Sequence, residues 1–171
     1  MTEPVERGPL DMVPESGADP EPVLKERLAA LFQTQQLAVL ATQRDGQPYS
    51  NLVAFLATPD LGGLVFATAR STRKFENLAA DPRASLLIDN RSNRAADFRE
   101  AMAVTAVGRV VELTDDRRAG MLDLYLGKHP HLKEFVEAPT CALLMLEVEV
   151  YITVERFQKV LQWQPRAHPG S

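Results

Sequence analysis

GLVFATARSTRKFENLAADPRASLLIDN, Gly63 to Asn90, reads as strand, turn, helix and strand in succession. Leu64-Val65-Phe66-Ala67 is a short apolar run, the pattern of a buried strand. Thr68, Arg70, Ser71, Thr72, Arg73 and Lys74 break it with hydroxyls and cations. A helical segment follows from Phe75 to Ala80 and stops at Asp81-Pro82, and Ala84 to Ile88 forms a second apolar run. A strand that breaks into a basic, hydroxyl-rich turn and then a helix start builds an anion site. The first N–H groups of a helix lack internal partners, and the helix dipole places partial positive charge there. Hydroxyls, an arginine fork and a lysine point charge add donors suited to a phosphate monoester. Cations in a first turn oppose the dipole, where Asp or Glu is the usual choice. A bound anion therefore accounts for them better than a capped helix with a solvated basic turn.

Working outward, Val23, Leu24, Leu28, Leu31 and Phe32 give a helix over about 22–35 one apolar face, with Pro22 at its start. Leu37 to Thr42 and Tyr49 to Ala57 are strand-like runs flanking Asp45-Gly46, a strong hairpin signal. Asp60 to Gly63 turns the chain into the strand at Leu64 to Thr68. Asn90 to Glu100 is polar and arginine-rich, a loop or flap. Met102 to Leu113 is a long strand with Gly108 as a candidate bulge. Thr114 caps a helix that begins Asp115-Asp116 and ends at Gly127, and a short helix covers His131 to Val136. Leu144, Leu146, Val148, Val150, Ile152 and Val154 then alternate with Met145, Glu147, Glu149, Tyr151 and Thr153, predicting a long strand with one wet face. Phe157 to Trp163 adds a last short strand. Six or seven antiparallel strands with inserted helices form a mainly β, α+β protein. A small closed barrel fits better than an open sheet, because closure removes exposed edges.

The chain has 171 residues, 45% hydrophobic, with net charge −4, enough for one domain with a core. Residues 1–22 hold Glu3, Glu6, Asp11, Glu15, Asp19 and Glu21 against Arg7, together with five prolines. They read as a disordered or strap-like leader, followed by a nearly neutral domain over 23–165 and a tail over 166–171. No signal peptide or membrane-length apolar run is present, and the lone Cys141 cannot close an internal disulfide, which fits a cytoplasmic protein. Cys141 reads as a small core residue. There is no basic stripe with interleaved aromatics to suggest nucleic acid. Neither GxGxxG, Walker A, HExxH nor GxSxG occurs, and no residue stands out as catalytic. His129 and His131 in KHPHL lack a third ligand nearby, so they read as a surface helix start and no metal is expected.

Three blocks, GQPYSNLVAFL (Gly46–Leu56), GLVFATARSTRK (Gly63–Lys74) and NLAADPRASLL (Asn77–Leu87), resemble the FMN-binding split barrels related to pyridoxamine 5'-phosphate oxidase. The resemblance runs from about Leu37 to Val111. It implies a six- to seven-stranded antiparallel split β-barrel with peripheral helices, and FMN as the cofactor that carries oxidoreductase chemistry on a small molecule. It also implies a homodimer with cofactor clefts between the subunits. Carried over by position, Arg73 and Lys74 match the adjacent Arg-Lys pair on the cofactor phosphate. Thr68 matches the residue after a family aromatic, which is Ala67 here. Asn51, Leu52, Val53, Ala54 and Phe55 lie where the family's second strand runs along the flavin ring. Ser71 and Thr72 join the site from their place at the helix start. Trp163 is a candidate for the groove between subunits.

Two departures argue against pyridoxamine phosphate oxidation itself. The family strand that begins with Arg and ends with Lys has Asn51 and Leu56 here, and Arg156 to Pro165 lacks the arginine-histidine pattern that grips the substrate. Arg70 and Arg83 are candidates to replace the lost charge. Related barrels bind haem or the deazaflavin F420. For haem, His129 and His131 are the candidate axial ligands. A cofactor-free dimeric interaction module is the third alternative.

Overall fold

Asp45 and Gly46 both take left-handed φ, 53° and 80°, the geometry of a type I′ turn whose twist matches that of paired strands. The turn joins β1 (Leu37–Arg44) to β2 (Gln47–Ala57) in the register Leu37↔Ala54 through Arg44↔Gln47. The computed structural model describes residues 21–155 and 159–165. The expected leader up to residue 20, the tail 166–171 and Phe157 lie outside them. Glu21 and Pro22, placed in the leader by composition, belong to helix α1 (Glu21–Thr34).

β3 (Gly63–Ala69) follows, then α2 (Arg73–Ala80), β4 (Arg83–Asp89), a short α3 (Asp97–Glu100) and β5 (Met102–Glu112). Thus the polar segment 90–100 is a loop that ends in one helical turn. After β5 come α4 (Asp115–Lys128), a 3-10 turn (Pro130–Leu132), α5 (Lys133–Glu137), β6 (Cys141–Glu155) and β7 (Lys159–Trp163). Thr114 has the extended backbone of a cap, yet its hydroxyl makes no capping hydrogen bond.

Along one edge β6 pairs with β5 over residues 144–155. Its other edge is divided: residues 141–147 pair with β3 and 151–155 with β7. The first pairing closes the order β3-β2-β1-β4-β5-β6 into a six-stranded antiparallel barrel, and the second attaches β7 as an extra strand. Leu24, Leu28, Leu31 and Phe32 of α1 and Leu78 of α2 join the barrel's interior cluster. Phe55, Phe66 and Leu64 in that interior are fully buried, each contributing about 1.5–3 kcal/mol of apolar transfer. A second cluster lies outside the barrel wall, where Val65, Ala67, Leu143 and Met145 pack with Tyr125 and Val136 from α4 and α5. Among the described residues no helix is long and apolar enough to cross a membrane.

The long alternation in β6 departs from expectation. Val107 pairs with Val150 but Gly108 pairs with Val148, so Glu149 is an extra residue without a partner. Before it, Leu144, Leu146 and Val148 belong to the interior cluster. Beyond it, Tyr151 and Thr153 are fully buried and Val154 is 38% exposed. The single apolar face predicted from Leu144 to Val154 is therefore corrected, because a bulge shifts a period of two by one residue. Gly108, the expected bulge, lies opposite the true one.

Candidate functional site

β2 and β3 stay together for only three pairs, Phe55↔Phe66 to Ala57↔Leu64. Toward the α2 end of the barrel they diverge, and the β2 edge from Ser50 to Ala54 has no strand partner on that side. The Phe55 N–H donates to the Gln36 carbonyl beside β1, so alternation turns the Ala54 and Leu52 main-chain groups toward the open edge. The Tyr125 hydroxyl donates to the Ala54 carbonyl at 3.2 Å. The sequence-predicted ring strand thus offers Leu52 main-chain groups beside a gap, while Val53 and Phe55 point inward as core residues. Leu52 itself is 63% exposed.

The turn between β3 and α2 borders the same gap. Thr68, almost fully buried, places its hydroxyl 2.9 Å from that of Thr72. Thr72 is the N-cap of α2: its backbone is extended, its oxygen accepts from the Phe75 N–H and its hydroxyl donates to the Ala69 carbonyl at 2.8 Å. Among the described residues the backbone N–H groups of Ser71, Arg73 and Lys74 have no protein acceptor. Arg73 and Lys74, the first two residues of the helix, make no ion pair either. The Arg73 guanidinium lies 5.2 Å from the Tyr49 ring centroid. Free N–H groups and two uncompensated cations at a helix N-terminus capped by Thr72 form an anion-binding arrangement.

Asn51 faces the barrel interior beside Leu40, its partner on β1. Both atoms of its amide are buried and have no hydrogen-bond partner. Buried polar atoms are almost always paired, since an unmet one costs about 1–3 kcal/mol. Asn51 is thus a polar group in want of a partner on the strand that borders the gap. Asn77 anchors α2 against β1 by donating to the Thr42 hydroxyl at 3.0 Å. Tyr49 and Asn77 are site residues that carry little local signal in the sequence. A polar residue on the apolar side of a short helix was the available signal for Asn77; Tyr49 has none beyond its place in the GQPYSN block.

Several predicted residues are committed elsewhere. Arg70 forms a two-pronged ion pair with Glu112 and lies 5.4 Å from the Phe75 ring centroid, so it does not replace lost site charge. Its pKa is raised, first by the hydrogen bond to Glu112. Arg83 is likewise held by Asp81. The Ala67 side chain packs in the outer cluster. Trp163 stacks on Tyr151 at 5.6 Å and donates to Glu21 at 3.2 Å, within the barrel packing of its own chain. His129 is not a surface residue: it is buried, and its Nε2–H donates to the Phe55 carbonyl at 2.8 Å. Burial lowers its pKa. His131 is exposed on the 3-10 turn. Cys141 is buried, which pushes its thiol pKa up. Among the described residues no three His, Cys, Asp or Glu side chains gather as a metal site.

A closed antiparallel barrel, split beside an anion-binding turn, defines a split-barrel protein. Residues 24–155 match the family model for pyridoxamine 5'-phosphate oxidase, and the chain belongs to that family. No curated protein matches the sequence significantly. Solved structures share the fold. A heme binding protein from Mycobacterium smegmatis superposes with a TM-score of 0.74 at 22% identity, covering 88% of this chain and 60% of that one. General Stress Protein 26 from Bacillus anthracis gives 0.64 at 19%, covering 82% and 98%. An FAD-binding protein from Mesorhizobium loti gives 0.62 at 21%, covering 75% and 90%. The chain thus spans less than two thirds of the length of the heme binding protein.

Proposed function

We propose that the protein is an FMN-binding flavoprotein that acts as an oxidoreductase on a small molecule. The observation that carries this reading is the α2 N-terminus, where Arg73 and Lys74 stand without carboxylate partners beside three N–H groups without acceptors. A phosphate monoester supplies the missing charge and the missing acceptors together. In this reading the Ser71, Arg73 and Lys74 N–H groups and the Arg73 and Lys74 side chains hold the phosphate, while Thr72 caps the helix and Thr68 fixes its hydroxyl. The open β2 edge at Leu52 offers its N–H and C=O to the isoalloxazine rim. Bound FMN supplies hydride-transfer chemistry that no side chain here provides.

The proposed assembly is a homodimer. Leu52 and Leu87 lie on either side of Val39 in one row across the outer barrel wall, with Leu37 next in line. Leu52 and Leu37 are 63% and 52% exposed. A two-fold contact over this wall would cover these leucines and bring the β2–β3 gap to the subunit seam.

Haem is the second reading, favoured by the likeness to the heme binding protein. Its candidate axial ligand His129 would first have to give up its bond to the Phe55 carbonyl. The deciding experiment is the visible spectrum of the purified protein with identification of the ligand released on denaturation. A two-banded flavin spectrum with FMN released is expected. A Soret band would overturn the FMN reading in favour of haem, and released F420 would replace FMN with the deazaflavin. A colourless protein that takes up none of the three would leave a cofactor-free interaction module.

A further inference from the structure

At the end of the barrel away from α2, the segment 90–101 lies along the outer wall and forms one side of an open cavity of about 670 Å³. Its floor is apolar: Leu87 from β4, Ala103 from β5 and Val154 from β6. Phe98 of α3 forms part of the wall. This volume is in the range of small-ligand sites, which combine apolar linings with a few polar groups.

The segment is built rather than slack. Asn93 takes a left-handed φ of 60°, and the Asp97 carboxylate accepts the Ser92 and Arg94 N–H groups at 2.8 and 3.1 Å and the Ser92 hydroxyl at 2.9 Å. These contacts hold the Asp97 pKa below its usual range, against the desolvation that raises it. The other lining carboxylate, Asp89, is paired with Arg91 at 3.2 Å. Both acids are therefore committed to partners in the segment. The Arg94 guanidinium is the lining charge with no ion pair among the described residues.

We infer that this cavity binds a small amphipathic anion, with an apolar body over Leu87, Ala103 and Val154 and its negative group on Arg94. The ligand class is an aryl or alkyl carboxylate or a similar anion, held at a site separate from the α2 anion site. The cavity opens onto the same outer wall that carries Leu52 and Leu87, so it lies at the rim of the proposed dimer contact.

The test is calorimetric titration of the full-length protein with naphthalene-2-carboxylate and with its neutral amide, alongside FMN titration of each variant. One saturable carboxylate site per chain is expected. Arg94→Gln should weaken it about tenfold or more, and the amide should bind as weakly to wild type as the acid does to the variant. Ala95→Trp, which fills the cavity from the exposed segment, should abolish binding with the melting temperature unchanged. Arg44→Gln, at a distant surface position, should change nothing. Absence of saturable binding to wild type, or binding indifferent to Arg94→Gln or Ala95→Trp, would overturn the inference. FMN affinity is read separately: FMN bound without carboxylate sinks this inference alone, and carboxylate bound without FMN sinks the flavoprotein reading alone.

Discussion

Gly108 faces the Glu147 carbonyl so closely across the β5–β6 ladder that a methyl group on Gly108 would lie 1.9 Å from that oxygen. The contact sits at the register shift that leaves Glu149 without a partner and turns Tyr151 into the barrel. Gly108→Ala must push backbone against backbone or expel the bulge. We expect it to destabilise the protein by more than about 3 kcal/mol, measured by urea unfolding, at the large end for a single substitution. A variant as stable as wild type would mean that the bulge is free to relax.

Arg73 and Lys74 should matter for ligand and hardly at all for fold, since neither has a protein carboxylate to lose. The double change Arg73→Ala with Lys74→Ala should weaken FMN binding by about a hundredfold or more, at about 1.5–3 kcal/mol per charge-assisted contact. Its melting temperature should stay within about 2 °C of wild type. Arg70→Ala is the contrast: Arg70 is bound to Glu112 in an exposed, solvent-screened pair, so FMN affinity and melting temperature should both hold close to wild type. Unchanged FMN affinity in the double variant would remove the phosphate from the α2 N-terminus.

Leu52→Asp tests the dimer. It places a charge in the middle of the outer wall, and in a two-fold contact the substitution counts twice. Light scattering after gel filtration should show a dimer for wild type and a monomer for Leu52→Asp, whose far-ultraviolet spectrum stays native. A wild-type monomer, or an unaffected variant dimer, rules out this face.

Lys128 donates to the Phe32 and Gln35 carbonyls at the end of α1, at 2.7 and 2.8 Å, and its desolvation lowers its pKa from 10.5 to about 8. Between those values the unfolded chain holds a proton that the native chain has released, so this group makes stability rise with pH from about 8 upward. Below about 8 both states are protonated and its slope vanishes. Lys128→Met should lack the rise, and the difference between the two proteins should grow by less than about 1.4 kcal/mol per pH unit, the one-proton limit. Parallel slopes from pH 8 to 9.5 would show an ordinary, well-solvated lysine.

The strands and helices were legible because their signals are local. Asp45-Gly46 set its own turn, the apolar runs set β1 to β4, and the order from Thr68 to Lys74 marked an anion site before any neighbour was known. The partners of arginines were not legible: Arg70 and Glu112 lie on β3's following turn and β5, and only barrel closure decides that they meet. His129 looked like a surface residue because its burial comes from Phe55 on β2, far away in the chain.

The elements, their antiparallel succession and the cationic, hydroxyl-rich turn follow from residues close along the chain. Packing of the barrel set the rest. It opened β2 from β3 beside that turn, left the Asn51 amide without a partner and spent Arg70 and Arg83 on ion pairs. It also shifted the β6 alternation at Glu149. A period of two carries no mark of an unpaired residue, and a bulge is defined only by the strand lying opposite.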